Sequence, residues 1–364
     1  MDVSIRYTQT ADGVKIAFWT LGDGEPFVYM AGAPWSHVEL LEIPECVRWY
    51  ERLAEDRMLV RYDVRGTGLS DREIEDHSLD AQLLDLESVI DSLGLEKFSV
   101  FGAANAGPVA IAYAAANPER VSNLILWCTW ANGAEIISPR LDAWRALLDH
   151  DWQLMTDTCA HLALGWSGGE VGRRAAENLR ASVTPGVMRA ALDAVDAVDI
   201  TSSLENVSTP TLIFTRPNIS WIPVESARNL AARIPGARLF ILDGESTAPY
   251  MGDTELVVDT IHRFFASNSG PAATPHDLTT SEPTAASGIL EATGKSDPGR
   301  PSDLTAREAQ VLGMLASGKT NNEVAKELVL SIRTVERHIG NIYSKIGARG
   351  RADATVFALT HGLV

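Results

Sequence analysis

The stretch Phe98-Ser99-Val100-Phe101-Gly102-Ala103-Ala104-Asn105-Ala106-Gly107-Pro108, running on to Asn117, decides the fold. Its first four residues form a short, mostly apolar run, as a buried strand requires, and Asn105–Asn117 reads as a helix. Between them Gly102, Ala106 and Gly107 keep side chains tiny, where strand and helix backbones must meet beneath a sharp turn. The same alternation extends both ways. Short apolar strands are expected at Phe27–Ala31, Met58–Val64, Val121–Trp130, Thr211–Thr215 and Ala237–Leu242. Helices are expected at Leu79–Leu93, Val224–Ile234 and Thr254–Phe265. Such alternation implies an α/β fold with a mostly parallel sheet covered on both faces. The chain should open on an antiparallel hairpin, Ile5-Arg6-Tyr7 against Val14–Trp19, turning at Asp12-Gly13. Residues 131–205, mainly helical and carrying Trp144, Trp152 and Trp166, break the rhythm and read as a cap inserted over the sheet.

The 364 residues suffice for two to three domains, and 45% hydrophobic against 22% charged residues excludes wholesale disorder. The net charge of −17 argues against a protein that coats nucleic acid uniformly, but it is unevenly spread. Residues 303–364 carry eight Lys/Arg against six Asp/Glu, a net +2, while the remainder carries 23 against 42, a net −19. A small basic tail on an acidic body fits a localised DNA-binding module. Between them, residues 267–302 hold five prolines, no aromatic residue and much Ser, Thr, Ala and Gly. That composition is expected to give a flexible linker spanning ~30–35 Å on average. Cys46, Cys128 and Cys159 have no CxxC spacing and sit in apolar stretches, as buried thiols in a reducing compartment do. The absence of a basic segment leading into an apolar one at the N-terminus, and of any apolar run near ~18 residues, leads us to expect a cytoplasmic protein without a membrane partner. No cofactor or metal is expected.

Residues 1–266 resemble the α/β-hydrolase family. The likeness rests on Asp63-Val64-Arg65-Gly66-Thr67-Gly68-Leu69-Ser70, on the turn around Ala104, and on the connections Asn117-Pro118-Glu119-Arg120-Val121 and Ile234-Pro235-Gly236-Ala237. The resemblance implies a nucleophile elbow at residues 102–107, with the nucleophile position occupied by Ala104. It places the acid near Ile219 and the base at Thr247, so none of the three triad roles has a suitable side chain. The backbone N–H groups that hold a developing oxyanion in this family would fall at Asn105 and at Gly32-Ala33. Trp35, Trp130, Trp144, Trp152, Trp166, Trp221 and Tyr250 are expected to ring the same site. With Ala104 and Ile219 in place of polar atoms, the expected ligand is small, flat and apolar or aromatic, with one polar group.

Residues 303–364 resemble the LuxR/FixJ-type (GerE-fold) helix-turn-helix domain. The matching runs are Leu304-Thr305-Ala306-Arg307-Glu308, Val311-Leu312, Leu315-Ala316-Ser317-Gly318, Thr320-Asn321-Asn322-Glu323-Val324-Ala325 and Ser331-Ile332-Arg333-Thr334-Val335-Glu336-Arg337-His338-Ile339, then Ile342-Tyr343-Ser344-Lys345-Ile346-Gly347. Thr305 with Glu308 and Thr320 with Glu323 form capping boxes for two helices. Ser331 caps a third, in which Val335, Ile339, Ile342 and Ile346 share a core face. Arg333, Glu336, Arg337 and Asn341 lie largely on the opposite face, that of a recognition helix in the major groove. Arg333 and Arg337 meet base edges or phosphates, and Glu336 accepts from a cytosine or braces an arginine. By resemblance Thr334 and Lys345 contact the DNA backbone, and Thr320 and Asn321 join the interface. A homodimer through the fourth helix is implied, with RNA polymerase a further candidate partner.

The leading expectation is thus a ligand-responsive transcriptional regulator, with a non-catalytic hydrolase-like sensor that controls DNA binding. The alternative is a DNA-associated hydrolase using unorthodox residues, for which Ser36, Ser246 and His37 are the candidates. A third is a ligand-independent regulator whose body is only a dimer platform.

Overall fold

In the strand around Val28 every second side chain faces the same way: Phe27 and Tyr29 join one apolar core, Val28 and Met30 another, and all four are buried. That double burial is the signature of a sheet covered on both faces. The computed structural model describes residues 3–35, 43–164, 169–219 and 221–268. In the C-terminal segment it describes 304, 306–316, 319, 321–328, 334, 335, 338, 339, 342, 343, 345 and 358. The chain divides into two compact units near residue 278.

The first unit runs β1 (Arg6–Gln9), β2 (Lys15–Leu21), β3 (Glu25–Ala31), α1 (Pro44–Leu53), β4 (Arg57–Tyr62), α2 (Leu79–Ser92), β5 (Phe98–Ala103), α3 (Gly107–Ala116) and β6 (Val121–Trp127). Between β6 and β7 (Thr211–Thr215) come α4 (Pro139–Ala146), α5 (Trp152–Leu164), α6 (Gly169–Ser182) and α7 (Pro185–Ala197), the helical segment expected over residues 131–205. The unit closes with α8 (Val224–Arg233), β8 (Arg238–Ile241) and α9 (Thr254–Asn268). The eight strands form one sheet in the order β1-β2-β4-β3-β5-β6-β7-β8. β1 and β2 are the antiparallel hairpin, β2 pairs antiparallel with β4, and every later pairing is parallel. Trp49 of α1 and Ile261 and Phe265 of α9 pack one face, while Leu86 of α2, Ile111 of α3 and Leu230 of α8 pack the other.

Three details differ from the sequence expectation. The strand expected over Val121–Trp130 ends at Trp127, because Cys128 turns into the left-handed region (φ +45°) and leads Trp130 out of the sheet. The helix expected from Asn105 begins at Gly107, after a short 3-10 turn over Ala104–Ala106, with Pro108 in its first turn where its missing N–H costs nothing. Helix α1 was not anticipated. Its Cys46, Trp49, Tyr50 and Leu53 are buried at i, i+3, i+4 and i+7, a readable stripe that opens on Pro44.

One motif of the hydrolase likeness is structural. Arg65 is 1% exposed and donates through Nε to Asp85 Oδ1 (2.9 Å) and through Nη1 to Asp12 Oδ2 (2.8 Å). It ties the opening hairpin to α2 beneath the sheet edge, and it pulls the Asp12 carboxyl down to about 2.

In the second unit α10 (Ala306–Ala316) and α11 (Asn321–Glu327) enclose Val311, Leu312, Leu315 and Val324 with Val335, Ile342 and Ala358. Ile339 packs against that cluster, as the expected core face requires, and Ile346 lies outside the described residues.

Candidate functional site

The strand order fixes where a site can form. From β3 the chain moves to one side as β4 and then returns to the other as β5, so the loops following β3 and β5 diverge. A crevice opens at their C-terminal ends, where Ala31 and Ala103 are paired neighbours. Ala104 follows with φ +47°, a left-handed conformation that costs a residue bearing a Cβ ~1–2 kcal/mol. Its surroundings hold it there. Thr129 Oγ1 donates to the Ala104 carbonyl at 2.6 Å, and a Cβ on Gly107 would lie 2.0 Å from that same Oγ1. Asn105 Nδ2 donates to Ala33 O at 2.7 Å, and its side chain occupies the space a Cβ on Gly32 would need (1.8 Å to Oδ1). The strained elbow is therefore built, with a methyl group at its tip. Asn105 and its neighbours are the first N–H groups of a helical segment, which have no intrahelical acceptor.

Ala104 faces a cavity of about 130 Å³. This is close to the ~150 Å³ at which an apolar protein cavity takes up benzene. Of the residues expected there, Gly32, Ala33, Trp35, Ala104, Asn105, Trp130, Trp144, Trp221 and Thr247 line it, as does Tyr250. Ile219 and Trp152 do not. Ile219, after β7, is 6% exposed and packs into the apolar core. Trp152 starts α5 seven residues, roughly 10 Å of helix, before the cavity-lining Cys159. Trp166 lies outside the described residues. Among the described lining residues there is no His, Asp, Glu or Ser, and Arg145 is the one charged side chain.

Thr247 is held by its backbone. Its N–H donates to Ala163 O (2.7 Å) and its carbonyl accepts from Trp127 Nε1 (2.7 Å), while Oγ1 donates to Ala163 O (3.1 Å). Ser246 is 6% exposed, and its Oγ donates to Ala163 O (2.9 Å) and accepts from the Ala248 N–H (3.1 Å). Ser36 and His37 lie outside the described residues. The three thiols are buried, and burial pushes each up to about 12, far from the range of a reactive thiolate.

Two buried arginines that the sequence reading did not single out shape the loops around the cavity. Arg216, under the ring of Trp127, donates to the carbonyls of Ser246 (2.6 Å), Ala248 (3.2 Å) and Met251 (2.5 Å), fixing the segment after β8. Arg61 donates to Tyr50 Oη (3.0 Å) and Trp35 O (3.1 Å), fixing the loop after β3. A charged residue inside an apolar strand, as in Met58–Val64, was the available signal. Arg145 and the cap residues Cys159, Leu162 and Met188 were also missed, because helical periodicity alone does not say which face meets the sheet.

In the second unit Lys345 Nζ donates to Glu308 Oε2 at 2.7 Å, a carboxylate with 6% of its side chain exposed. Thr334 is half-buried in a helical stretch, and Asn321 opens α11. Thr320, Arg333, Glu336, Arg337 and Asn341 lie outside the described residues.

Comparison with known proteins agrees with this geometry. Residues 36–171 match the family described as alpha/beta hydrolase fold. Over 190 residues the chain is 31% identical to "Putative carbamate hydrolase RutD" of Caulobacter sp. (strain K31), covering 50% of this chain and 71% of that protein. The chain belongs to the α/β-hydrolase fold family. A solved structure, the esterase RhEst1 from Rhodococcus sp. ECU1013, superposes with a TM-score of 0.64 at 22% identity, over 72% of this chain and 99% of that one. To the hydrolase-fold unit is joined a second family, the luxR family of bacterial regulatory proteins, matched by residues 302–358. Those residues are similar to the transcriptional regulatory protein LiaR of Bacillus subtilis, 46% identical over 61 residues, 17% of this chain and 29% of that protein. A LuxR-type helix-turn-helix domain on an α/β-hydrolase body implies DNA binding and transcription regulation. No described helix is long and apolar enough to cross a membrane.

Proposed function

We infer that this protein is a ligand-responsive transcriptional regulator whose hydrolase-fold unit binds a small apolar or aromatic molecule without turning it over. One observation carries the reading: a fully built elbow presents Ala104, instead of an oxygen nucleophile, to a small cavity whose described lining has no imidazole or carboxylate. Nucleophilic catalysis needs an attacking atom and a base within hydrogen-bond reach. Binding needs only apolar walls and a few placed donors, which the aromatic lining supplies. The effector acts on a homodimer bound to its operator through the recognition helix expected from Ser331 onward, with RNA polymerase as the partner at the promoter. Ser267 and Asn268, expected in the linker, belong to α9, so the tether is assigned to residues 269–302.

The competing hydrolase reading is favoured by the relatives' names. Its candidate Ser246 is committed to two hydrogen bonds and does not line the cavity, which speaks against it. A thermal-shift screen with small aromatic compounds tests the sensor reading. A binder at 100 times its Kd stabilises the folded unit by ~2.7 kcal/mol. Ala104→Leu, which fills the cavity, should abolish that shift. Stabilisation that survives Ala104→Leu would place the ligand elsewhere.

A further inference from the structure

We propose that the ligand of this cavity is a small aromatic carboxylate, held through indole N–H groups that the fold leaves without partners. The proposal rests on the binding reading above and narrows it to a chemical class. Among the described residues, three buried side-chain polar atoms on the cavity lining have no hydrogen-bond partner: Trp130 Nε1, Trp221 Nε1 and Arg145 Nε. All three are N–H donors. Leaving a buried donor unmet is unfavourable, so native structures pair nearly all of them. Three such donors among the residues lining one cavity point to an acceptor from outside the chain.

The placement of these donors selects a carboxylate. Trp130 is 1% exposed and follows β6, Trp221 follows the neighbouring β7, and their rings meet edge-on with centroids 6.0 Å apart. A carboxylate is acceptor-only and charged, with an oxygen for each indole, whereas a hydroxyl brings a hydrogen that finds no acceptor there and a protonated amine has no lone pair to offer. Arg145 donates through Nη1 and Nη2 to Asp196 (2.5 and 2.7 Å), so the pair fixes the guanidinium while Nε stays free. The elbow turn over Ala104–Ala106 leads into α3, whose N-terminus favours negative charge. No carboxylate among the described lining residues opposes an anion. The remaining walls, Trp35, Trp144, Met188 and Tyr250 among them, suit a flat ring, and the volume of about 130 Å³ suits a single one.

The test uses the full-length chain labelled with ¹⁵N and three probes of similar size: benzoate, benzyl alcohol and benzylamine. Indole N–H resonances are assigned with Trp130→Phe and Trp221→Phe, and Trp49 serves as control. Trp49 is buried and does not line the cavity. The expected result is that benzoate binds more tightly than the other two and moves the Trp130 and Trp221 indole protons downfield. Trp49 stays in place, and each Trp→Phe change weakens benzoate about tenfold. Benzyl alcohol or benzylamine binding as well as benzoate, or benzoate binding with both indole signals unmoved, would overturn the carboxylate assignment and leave the cavity reading standing. If none of the three binds or stabilises the protein, both readings fall together.

Discussion

Restoring a serine to the elbow, Ala104→Ser, should not make an esterase. The perturbation is nearly isosteric, and the backbone at 104 already has the left-handed conformation that presents a nucleophile, with Thr129 holding its carbonyl. What is missing is a base: Thr247 stands at the expected imidazole position, and the described lining supplies no other proton acceptor of that kind. In a serine protease, losing the catalytic histidine costs about 2 × 10⁶ in kcat. Applied to a typical kcat of ~10 per second, that leaves ~5 × 10⁻⁶ per second, about one turnover in two days. Hydrolysis of a p-nitrophenyl ester by Ala104→Ser should therefore be indistinguishable from the unmodified protein, and a fluorophosphonate should label neither within minutes. Adding Thr247→His puts an imidazole on the same cavity wall. General-base assistance of ~10²–10⁴ should raise the double variant to ~5 × 10⁻⁴–5 × 10⁻² per second. Turnover by Ala104→Ser alone at or above ~5 × 10⁻⁴ per second, the range general-base assistance gives, or its rapid labelling, would show that a base is already in place and would refute the reasoning.

Arg65→Ala should strand the fully buried Asp85 carboxylate without its cation, costing ~3–5 kcal/mol, and calorimetry should find the hydrolase-fold transition lowered by ~6–20 °C. Gly107→Ala should force Thr129 off the elbow carbonyl, since the new Cβ would sit 2.0 Å from Oγ1; a loss of ~1–3 kcal/mol in urea unfolding is expected, together with weaker ligand binding. Arg337→Ala should weaken binding of a selected DNA duplex while leaving ligand affinity unchanged. A base-edge contact costs ~1–3 kcal/mol at one position, whereas a phosphate contact weakens all sequences and flattens the salt slope by about one unit.

Much of this architecture was legible because the sheet is doubly covered and its strands are uninterrupted apolar runs. The stretch Thr211–Thr215 was read to the residue, since Pro210 and Pro217 bracket it. The elbow was legible for a different reason: only tiny residues fit where Gly107 meets Thr129, and the sequence writes that constraint as Gly102, Ala106 and Gly107. Strand ends were less so, because Cys128 adopts a left-handed conformation that nothing in a cysteine announces. The cavity was only half readable. Aromatic residues on loops after strand ends, Trp35, Trp130 and Trp221, were found from topology. Ile219 and Trp152 were misplaced because a count along the chain cannot tell a residue facing the cavity from one packed behind it. Arg145, Arg61 and Arg216 went unnoticed because their roles arise from partners 51, 26 and 30 or more residues away in sequence.

On the sensor reading proposed above, occupancy of the hydrolase-fold cavity should change DNA binding by the LuxR-type domain. Calorimetric titration of the full-length chain with benzoate, in the presence and absence of a duplex selected from a random-sequence pool, tests it most directly. The duplex should change benzoate affinity by ~5–150-fold, and benzoate should change duplex affinity by the same factor, as linkage between two sites requires. Benzoate affinities identical with and without the duplex would contradict that reading.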